Sequence, residues 1–228
     1  MLNLVTTRNE GFYLARGKRY FDIGLVIAAA PVLIALSIVI CVISRLLLGS
    51  PVLFRQRRAG LQGRPFTLLK FRSMRDLRDA SGALLPDAVR LTPFGRFLRS
   101  TSLDELPAFW NVLRGDMSII GPRPLPVEYS DAYDPVQARR LEVRPGVAGY
   151  AALFGRNAQS WEAIFERDVW YVDHLSFQLD LKIILGIIGV VLSRKGIDRG
   201  DHNRNSEFQR RIASLMANPV TAPEARDS

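Results

Sequence analysis

Two adjacent carboxylates, Asp104 and Glu105, are the residues of this chain whose types and spacing point most directly to chemistry. They lie at residues 102–107, where a run with apolar residues at helical spacing begins. A helix dipole keeps carboxylates at its N-terminus ionised, so one could attack phosphorus while its neighbour holds a divalent cation. A helix cap also fits, because Ser102 with Glu105 has capping-box spacing and Asp104 as N-cap puts Pro107 in the first turn. On this motif alone, capping is the simpler interpretation.

Basic side chains in turn-like motifs could supply the positive charge that phosphate chemistry needs. Those bounded by Gly, Pro or aromatic residues are Lys70, Arg72, Arg123, Arg144 and Arg156. The forked guanidinium and the lysine point charge both suit phosphate groups. The chain has 31 Lys and Arg against 22 Asp and Glu, a formal net charge of +9. With so many cations some clustering arises by chance, and contact with an anionic membrane surface explains many of them equally well.

Composition excludes several kinds of site. Cys41 is the only cysteine and lies in an apolar run, which excludes a disulfide framework, a cysteine-based zinc site and a redox CxxC pair. With only two histidines, His174 and His202, a histidine-rich metal site or relay has little to work with. Any metal should therefore be a hard ion held by oxygen ligands. A sequence pI near 10.3 favours an anionic partner, whether a phosphate-bearing ligand, an acidic membrane surface or nucleic acid.

An uncharged, apolar run over 23–44 could reach across a bilayer, which needs roughly 20 such residues. Basic residues stand on both sides of it, and because Lys and Arg favour the cytoplasmic face, a simple span would carry one cluster outward. Pro31 should kink the helix. We therefore predict a re-entrant helix over 18–48 that enters and leaves by the same face. A spanning helix that tolerates its proline is the alternative.

The remaining pattern divides the chain into four parts. A lead covers 1–17, the membrane helix 18–48, a catalytic domain on the membrane surface 49–198, and a polar tail that we expect to be disordered 199–228. Inside the domain, the pattern predicts a hairpin around Gly60 and Gly63, a helix over 103–113 that Gly115 ends, and helices near 135–143 and 161–172. The short apolar stretch at 183–193 predicts an interfacial or core helix.

Several short motifs follow one another in a fixed order along the chain. They are Lys-Arg-Tyr-Phe-Asp at 18–22, Lys-Phe-Arg-Ser-Met at 70–74, Leu-Asp-Glu-Leu-Pro at 103–107, Asn-Val-Leu-Arg-Gly-Asp-Met-Ser at 111–118, Gly-Pro-Arg-Pro at 121–124, Arg-Pro-Gly-Val at 144–147 and Gly-Arg-Asn at 155–157. Each is weak alone, but the ordered series is specific. From about Lys18 to Ile197 the chain resembles the bacterial sugar transferases, the monotopic polyprenyl-phosphate phosphoglycosyl transferases.

The resemblance implies a reaction and assigns roles within it. Sugar-1-phosphate would pass from a UDP-sugar to polyprenyl (undecaprenyl) phosphate with release of UMP, through a covalent aspartyl phosphosugar. This would be the first membrane step of a bacterial glycoconjugate pathway. Asp104 would be the nucleophile and Glu105 a ligand of Mg²⁺, which agrees with the absence of a candidate histidine base because a carboxylate attacks without prior deprotonation.

The family's motifs also assign binding roles. Lys70, Arg156 and Asp168 match polar positions implicated at the family's active site, and Arg123 matches a motif linked to the nucleotide. Arg72 and Arg144 complete the phosphate-binding set that we predict. Asp168 taken alone fits equally well the polar surface of an amphipathic helix.

The predicted architecture is α+β and mostly helical, a membrane-associated monotopic domain with the Pro31-kinked re-entrant helix and interfacial amphipathic helices. The expected partners are a UDP-sugar, polyprenyl phosphate and the lipids of the bacterial inner membrane, with the catalytic domain facing the cytosol. No nucleic-acid partner is expected, and a homo-oligomer is left open.

Two other functions fit part of the sequence. A membrane-anchored basic protein that binds lipid or nucleic acid would account for the charge and the anchor, but it needs no Asp-Glu pair. A membrane glycosyltransferase would use the same substrates and release UDP in place of UMP. The identity of the product separates this second alternative from the phosphoglycosyl transferase.

Overall fold

The computed structural model describes residues 12–155, 159–193 and 207–217. In these ranges the fold is mostly helical with two small sheets, which confirms the α+β class. The helices are α1 (Lys18–Leu48), α2 (Asp87–Arg90), α3 (Pro93–Thr101), α4 (Ala108–Arg114), α5 (Pro135–Ala138), α6 (Trp161–His174), α7 (Phe177–Ser193) and α8 (Glu207–Ala217). The strands are β1 (Leu53–Ala59), β2 (Pro65–Phe71), β3 (Ser118–Ile120) and β4 (Gly146–Ala148).

Helix α1 runs through Pro31 as one element of 31 residues. Within the described residues it is the helix long and apolar enough to cross a membrane, judged by length and composition. Only 11% of its most apolar window is buried, and side chains such as Ile34 and Ile38 are exposed. The helix predicted over 18–48 is therefore present as a single helix, and its re-entrant path stays a prediction.

The first turns of α1 are fixed to the rest of the protein by two buried carboxylates. Asp22 accepts hydrogen bonds from Ser118 Oγ at 2.7 Å and from the Ile119 backbone N–H at 3.2 Å. Lys18 Nζ lies 2.6 Å from Oδ2 of Asp180, a residue of α7 that is fully buried. Because a buried charge that loses its partner is strongly destabilising, these contacts hold the start of α1 in one position.

The last turns of α1 are fixed to the same body. Ile40 is buried with Phe71 of β2 and Leu98 of α3 in one apolar cluster. Beyond it, Arg72 donates a hydrogen bond to the Leu48 carbonyl, one of the carbonyls left without an intrahelical partner at a helix C-terminus. Both ends of α1 therefore contact one globular body, and the exposed apolar side chains lie between these attachments.

Strands β1 and β2 form an antiparallel hairpin in which Leu53 pairs with Phe71 and Ala59 pairs with Pro65. This confirms the predicted hairpin. Strands β3 and β4 pair in parallel, with Ser118 opposite Gly146. The chain leaves β3 directly into the Gly-Pro-Arg-Pro motif, so this second sheet determines where that motif begins.

Helix α8 corrects one expectation. The polar composition of 199–228 predicts a disordered tail, but Glu207–Ala217 form a helix whose Phe208 and Ile212 are buried. The rest of that range lies outside the described residues. The Phe208 ring packs edge-on against Phe165 of α6, with ring centroids 4.6 Å apart. The expectation rested on average polarity, whereas two apolar residues one turn apart are enough when an aromatic cluster covers them.

Helix α7 fits the predicted interfacial or core helix in part. It is longer than the stretch 183–193, because it begins at Phe177. Ile183 is buried in the main core, whereas Leu185 and Ile188 are exposed. One face of α7 therefore belongs to the core and another is apolar and uncovered.

The close approach of the second sheet to the following turn gives a testable prediction. A Cβ at Gly146 would lie 2.1 Å from the backbone N of Gly121, where neither chain can move aside. We expect Gly146→Ala to lower the free energy of unfolding by roughly 1–3 kcal/mol or more. Gly189→Ala is the matched control, since nothing lies within 4 Å of its Cβ, and it should be neutral or stabilising by up to about 1 kcal/mol. Thermal unfolding in detergent checks both, and equal effects would contradict the packing argument.

Candidate active site

Asp104 and Glu105 lie in a 3₁₀ turn, Leu103–Glu105, between α3 and α4. Ser102 before it has φ 57°, a left-handed conformation that ends α3 and redirects the chain. Helix α4 starts only at Ala108, with Pro107 as its N-cap, and neither element has a side-chain cap. The capping interpretation is therefore wrong, and the predicted helix over 103–113 is split in two. The acidic pair is not used to cap a helix.

Two cations converge on one oxygen of the acidic pair. Lys70 Nζ, from β2, lies 2.6 Å from Glu105 Oε1, and Arg123 Nη2 lies 3.4 Å from the same atom. The side chains of Lys70 and Glu105 are mostly buried, whereas 63% of the Arg123 side chain is exposed. The fold thus brings together three of the predicted site residues from β2, the 3₁₀ turn and the loop after β3.

Burial shapes the electrostatics of this group. Burial raises the pKa of the Asp104 carboxyl and the Glu105 charge raises it further, while Lys70 and Arg123 act in the opposite direction. Burial lowers the pKa of Lys70, and the attraction of Glu105 opposes that shift. An aspartate whose pKa is raised has a more basic oxygen than an exposed one, which is the property that a carboxylate nucleophile requires.

An open cleft of about 310 Å³ lies beside these charges. Its polar lining comes from Lys70, Glu105, Arg123 and Arg58, and its apolar lining includes Leu68. Burial, together with the neighbouring Arg123 charge, lowers the pKa of Arg58 to about 10, so its guanidinium stays protonated at neutral pH. A cleft with three cations and one carboxylate is suited to a ligand with several negative charges.

Arg58 is a site residue that the sequence argument did not assign. The hairpin register pairs Phe54 with Lys70, and Arg58 lies four residues further along β1. Side chains alternate along a strand, so Arg58 and Lys70 share one face of the hairpin. Strand alternation across the predicted hairpin is the signal that could have identified it.

Other predicted phosphate-binding residues bind backbone carbonyls away from this group. Arg72 donates to the carbonyls of Leu48 and Ser50 at the end of α1. Arg144 Nε donates to the Gly115 carbonyl at 2.9 Å. Neither lines the cleft described above. Arg156 lies outside the described residues.

Asp168 is buried in α6 and pairs with Arg140, whose Nη2 lies 2.6 Å from Asp168 Oδ2. The interpretation of Asp168 as a polar surface residue is wrong, because it is only 2% exposed. The same Nη2 donates to the Arg123 carbonyl at 2.8 Å. Asp168 therefore meets the site through Arg140, another residue that the sequence argument did not assign.

The acidic pair has the donor set of a magnesium site. In the described part of the chain, no group of three or more His, Cys, Asp or Glu residues could hold a metal. The protein would therefore offer the carboxylates of Asp104 and Glu105. Mg²⁺ is commonly bound by one or two carboxylates, with water and substrate phosphates completing the coordination, so these residues fit it.

One α+β fold thus holds a charged cleft and a helix long and apolar enough to cross a membrane, and comparison with known proteins gives its family. The sequence model of the bacterial sugar transferases matches residues 13–194, so the chain belongs to that family. It is 53% identical over 194 residues to EpsL of Bacillus subtilis (strain 168), described as an uncharacterized sugar transferase, and the match covers 84% of this chain and 95% of EpsL.

Two further relatives have more specific descriptions. The chain is 38% identical over 170 residues to the UDP-glucose:undecaprenyl-phosphate glucose-1-phosphate transferase of Klebsiella pneumoniae, covering 70% of this chain and 36% of the relative. It is 35% identical over 187 residues to the UDP-N-acetylgalactosamine-undecaprenyl-phosphate N-acetylgalactosaminephosphotransferase of Aeromonas hydrophila, covering 78% and 44%. The chain thus spans less than half the length of these two relatives.

Asn111 of α4 gives a prediction about how Lys70 is positioned. It is buried, accepts from the Leu69 N–H at 3.1 Å, and donates to the Thr67 carbonyl at 2.8 Å and to Asp116 Oδ2 at 3.1 Å. Asn111→Asp keeps the shape but loses the donor and places two carboxylates together. We expect it to lower the free energy of unfolding by about 1–3 kcal/mol or more.

The double variant Asn111→Asp with Asp116→Asn is the control, because it restores a donor between residues 111 and 116. Denaturation in detergent should show that the double variant recovers part of the loss. Strictly additive effects would show that the pair does not act as a unit.

Proposed function

We propose that this sugar transferase moves sugar-1-phosphate from a UDP-sugar to undecaprenyl phosphate and releases UMP. The proposal rests on the buried Asp104 and its neighbour Glu105. The Glu105 carboxylate is held between Lys70 and Arg123. The Klebsiella and Aeromonas relatives are named as transferases of a sugar phosphate from a UDP-sugar to undecaprenyl phosphate, and the similarity of this chain to them supports the proposal.

The reaction proceeds in two displacements at one phosphorus. A carboxylate oxygen of Asp104 attacks the phosphorus that bears the sugar, forming an acyl phosphate, and the bond from that phosphorus to the bridging oxygen breaks. UMP leaves with that electron pair. A phosphate oxygen of the polyprenyl acceptor then attacks the same phosphorus and displaces Asp104, giving the polyprenyl diphosphate sugar. Neither step needs a general base, since both nucleophiles are anions.

The side chains around Asp104 manage charge. Lys70, Arg123 and Arg58 lie where a diphosphate in the cleft would meet them, and forked or point cations stabilise a transferring phosphoryl group. Glu105 would hold Mg²⁺, which would supply neutralisation of the diphosphate charge and polarisation of a phosphoryl oxygen. Lys70 and Arg123 hold the Glu105 carboxylate in place through their ion pairs with it.

We also propose that the protein is monotopic in the bacterial inner membrane and faces the cytosol. Support comes from the attachment of both ends of α1 to one body, through Asp22 at the start and Ile40 near the end. A helix that crossed to the far side would carry its C-terminal end across the bilayer, out of reach of a body that lies on one face. Pro31 lies in the exposed middle of α1 and is where a re-entrant helix would bend.

The reaction predicts a specific product and a specific loss. In detergent with undecaprenyl phosphate, Mg²⁺ and a panel of UDP-sugars, the protein should release UMP from one donor. Asp104→Asn should lower that rate by about 10³-fold or more, because it removes the nucleophile. Without acceptor, mass spectrometry should find the phosphosugar on the peptide that contains Asp104.

Asp131→Asn, at an exposed carboxylate, is the matched control and should keep the wild-type rate. EDTA should stop UMP release and added Mg²⁺ should restore it. UDP as the product would indicate a glycosyltransferase, and an unchanged rate in Asp104→Asn would overturn the role of that residue.

The topology can be tested by cysteine labelling. In a Cys41→Ser background, Arg16→Cys places an exposed thiol before the start of α1, and Arg55→Cys places one after its end. A membrane-impermeant maleimide should label both in inverted inner-membrane vesicles and neither in intact spheroplasts. Labelling of the two positions from opposite faces would instead establish a spanning helix. Retained UMP release confirms that each variant is folded.

A further inference from the structure

We propose that Arg140 and Asp168 are positioning residues that hold the turn at residues 121–125, and with it Arg123, against the cleft. This inference rests on the proposed function only for the identity of the ligand that binds in the cleft. The contacts that carry it belong to the protein alone, and none of them involves a ligand.

The turn needs support from outside itself. Pro122 and Pro124 have no N–H, so the segment has few donors with which to form a regular hydrogen-bonded turn. Two arginines supply donors to successive carbonyls. Arg140 Nη2 donates to the Arg123 carbonyl at 2.8 Å, and Arg58 Nη1 donates to the Pro124 carbonyl at 3.0 Å. The backbone at Arg123 is therefore held by side chains from two distant elements.

The guanidinium of Arg140 is fixed on every side. Its Nε and Nη2 donate to Asp168 Oδ2 at 3.2 and 2.6 Å, and its Nη1 donates to the Tyr133 hydroxyl at 2.9 Å. It also lies 5.2 Å from the ring centroid of Phe165. Because the guanidinium group is planar and rigid, these contacts together with the one to the Arg123 carbonyl leave it a single orientation.

Among the residues that the structure describes, Asp168 reaches the site through Arg140. Both side chains are 2% exposed, so a substrate in the cleft does not reach either of them. The Asp168 carboxylate supplies the negative charge without which burial of Arg140 would be strongly unfavourable. Loss of Asp168 would leave that cation uncompensated, and Arg140 would turn toward water and release the Arg123 carbonyl.

Loss of this support would change the position of the Arg123 side chain in the cleft. Its side chain is 63% exposed and contacts Glu105 at 3.4 Å, so its place in the cleft depends mainly on where its backbone is held. A shift of about 1 Å at a positioning group is enough to cost a large factor in function. We therefore expect weaker binding of nucleotide phosphate when the support is removed.

The test replaces the whole ion pair, so that no buried charge is left behind. The variant Arg140→Met with Asp168→Leu substitutes apolar side chains of similar length, a change that buried ion pairs often tolerate without loss of stability. Two readouts are measured in detergent: the affinity for UMP with Mg²⁺, by calorimetry, and amide hydrogen exchange in peptides covering 119–128. We expect the Kd for UMP to rise about tenfold and exchange over 119–128 to accelerate, including at the Gly121 N–H, which donates to the Ala148 carbonyl at 2.9 Å.

A double-mutant cycle distinguishes positioning from a general structural effect. Arg123→Ala should raise the Kd for UMP by a similar factor. Adding it to the Arg140→Met and Asp168→Leu variant should cost nothing further, because both changes remove the same contact. Ile40→Ala, which truncates a buried side chain of α1 that packs with Phe71 and Leu98, is the control and should lower stability without changing the Kd.

Each outcome decides a separate point. Unchanged exchange over 119–128, or Kd effects that add in the cycle, would overturn the positioning role. A wild-type protein that fails to bind UMP would overturn the proposed nucleotide site, while the exchange measurement would still decide whether Arg140 and Asp168 hold the turn.

Discussion

Oε1 of Glu105 is contacted by Lys70 from the hairpin and by Arg123 from the loop after β3, two residues far apart in the chain. A half-buried carboxylate shared by two cations is stable only if each partner arrives with the right geometry, since loss of either leaves charge uncompensated. Much of the surrounding structure meets this requirement. Asn111 ties the Lys70 strand to α4, and Arg140 holds the backbone of Arg123.

The same logic explains why the 3₁₀ turn takes the form it does. In a regular helix from Leu103 onward, the side chains of Asp104 and Glu105 would point in different directions around the axis, and one of them would cap the helix. The left-handed Ser102 ends α3, and Pro107 starts α4 without using either acid. Glu105 lines the cleft, Asp104 precedes it in the same turn, and burial gives Asp104 a raised pKa that an exposed aspartate would not have.

Local sequence patterns predicted several of the secondary-structure elements. Alternation and glycines predicted the hairpin, helical spacing predicted α6, and Gly115, with φ 91°, ends α4 as expected. The contacts between distant segments were not predictable in this way. The roles of Arg140 and Arg58 depend on which carbonyls the folded chain brings near them, and α8 depends on an aromatic cluster built from α6. Spacing along one sequence carries no direct record of such neighbours.

The double attachment of α1 has a practical consequence for anyone who wishes to shorten the protein. A chain that began after Leu48 would lose the membrane-seeking surface, but it would also lose Lys18, Asp22 and Ile40. Asp180 would then stay buried without its cation, and the Ser118 hydroxyl and Ile119 N–H would lose their acceptor. Both ends of α1 are packed against the domain, so water-soluble versions have to be sought by changing the exposed side chains of the helix and leaving the helix in place.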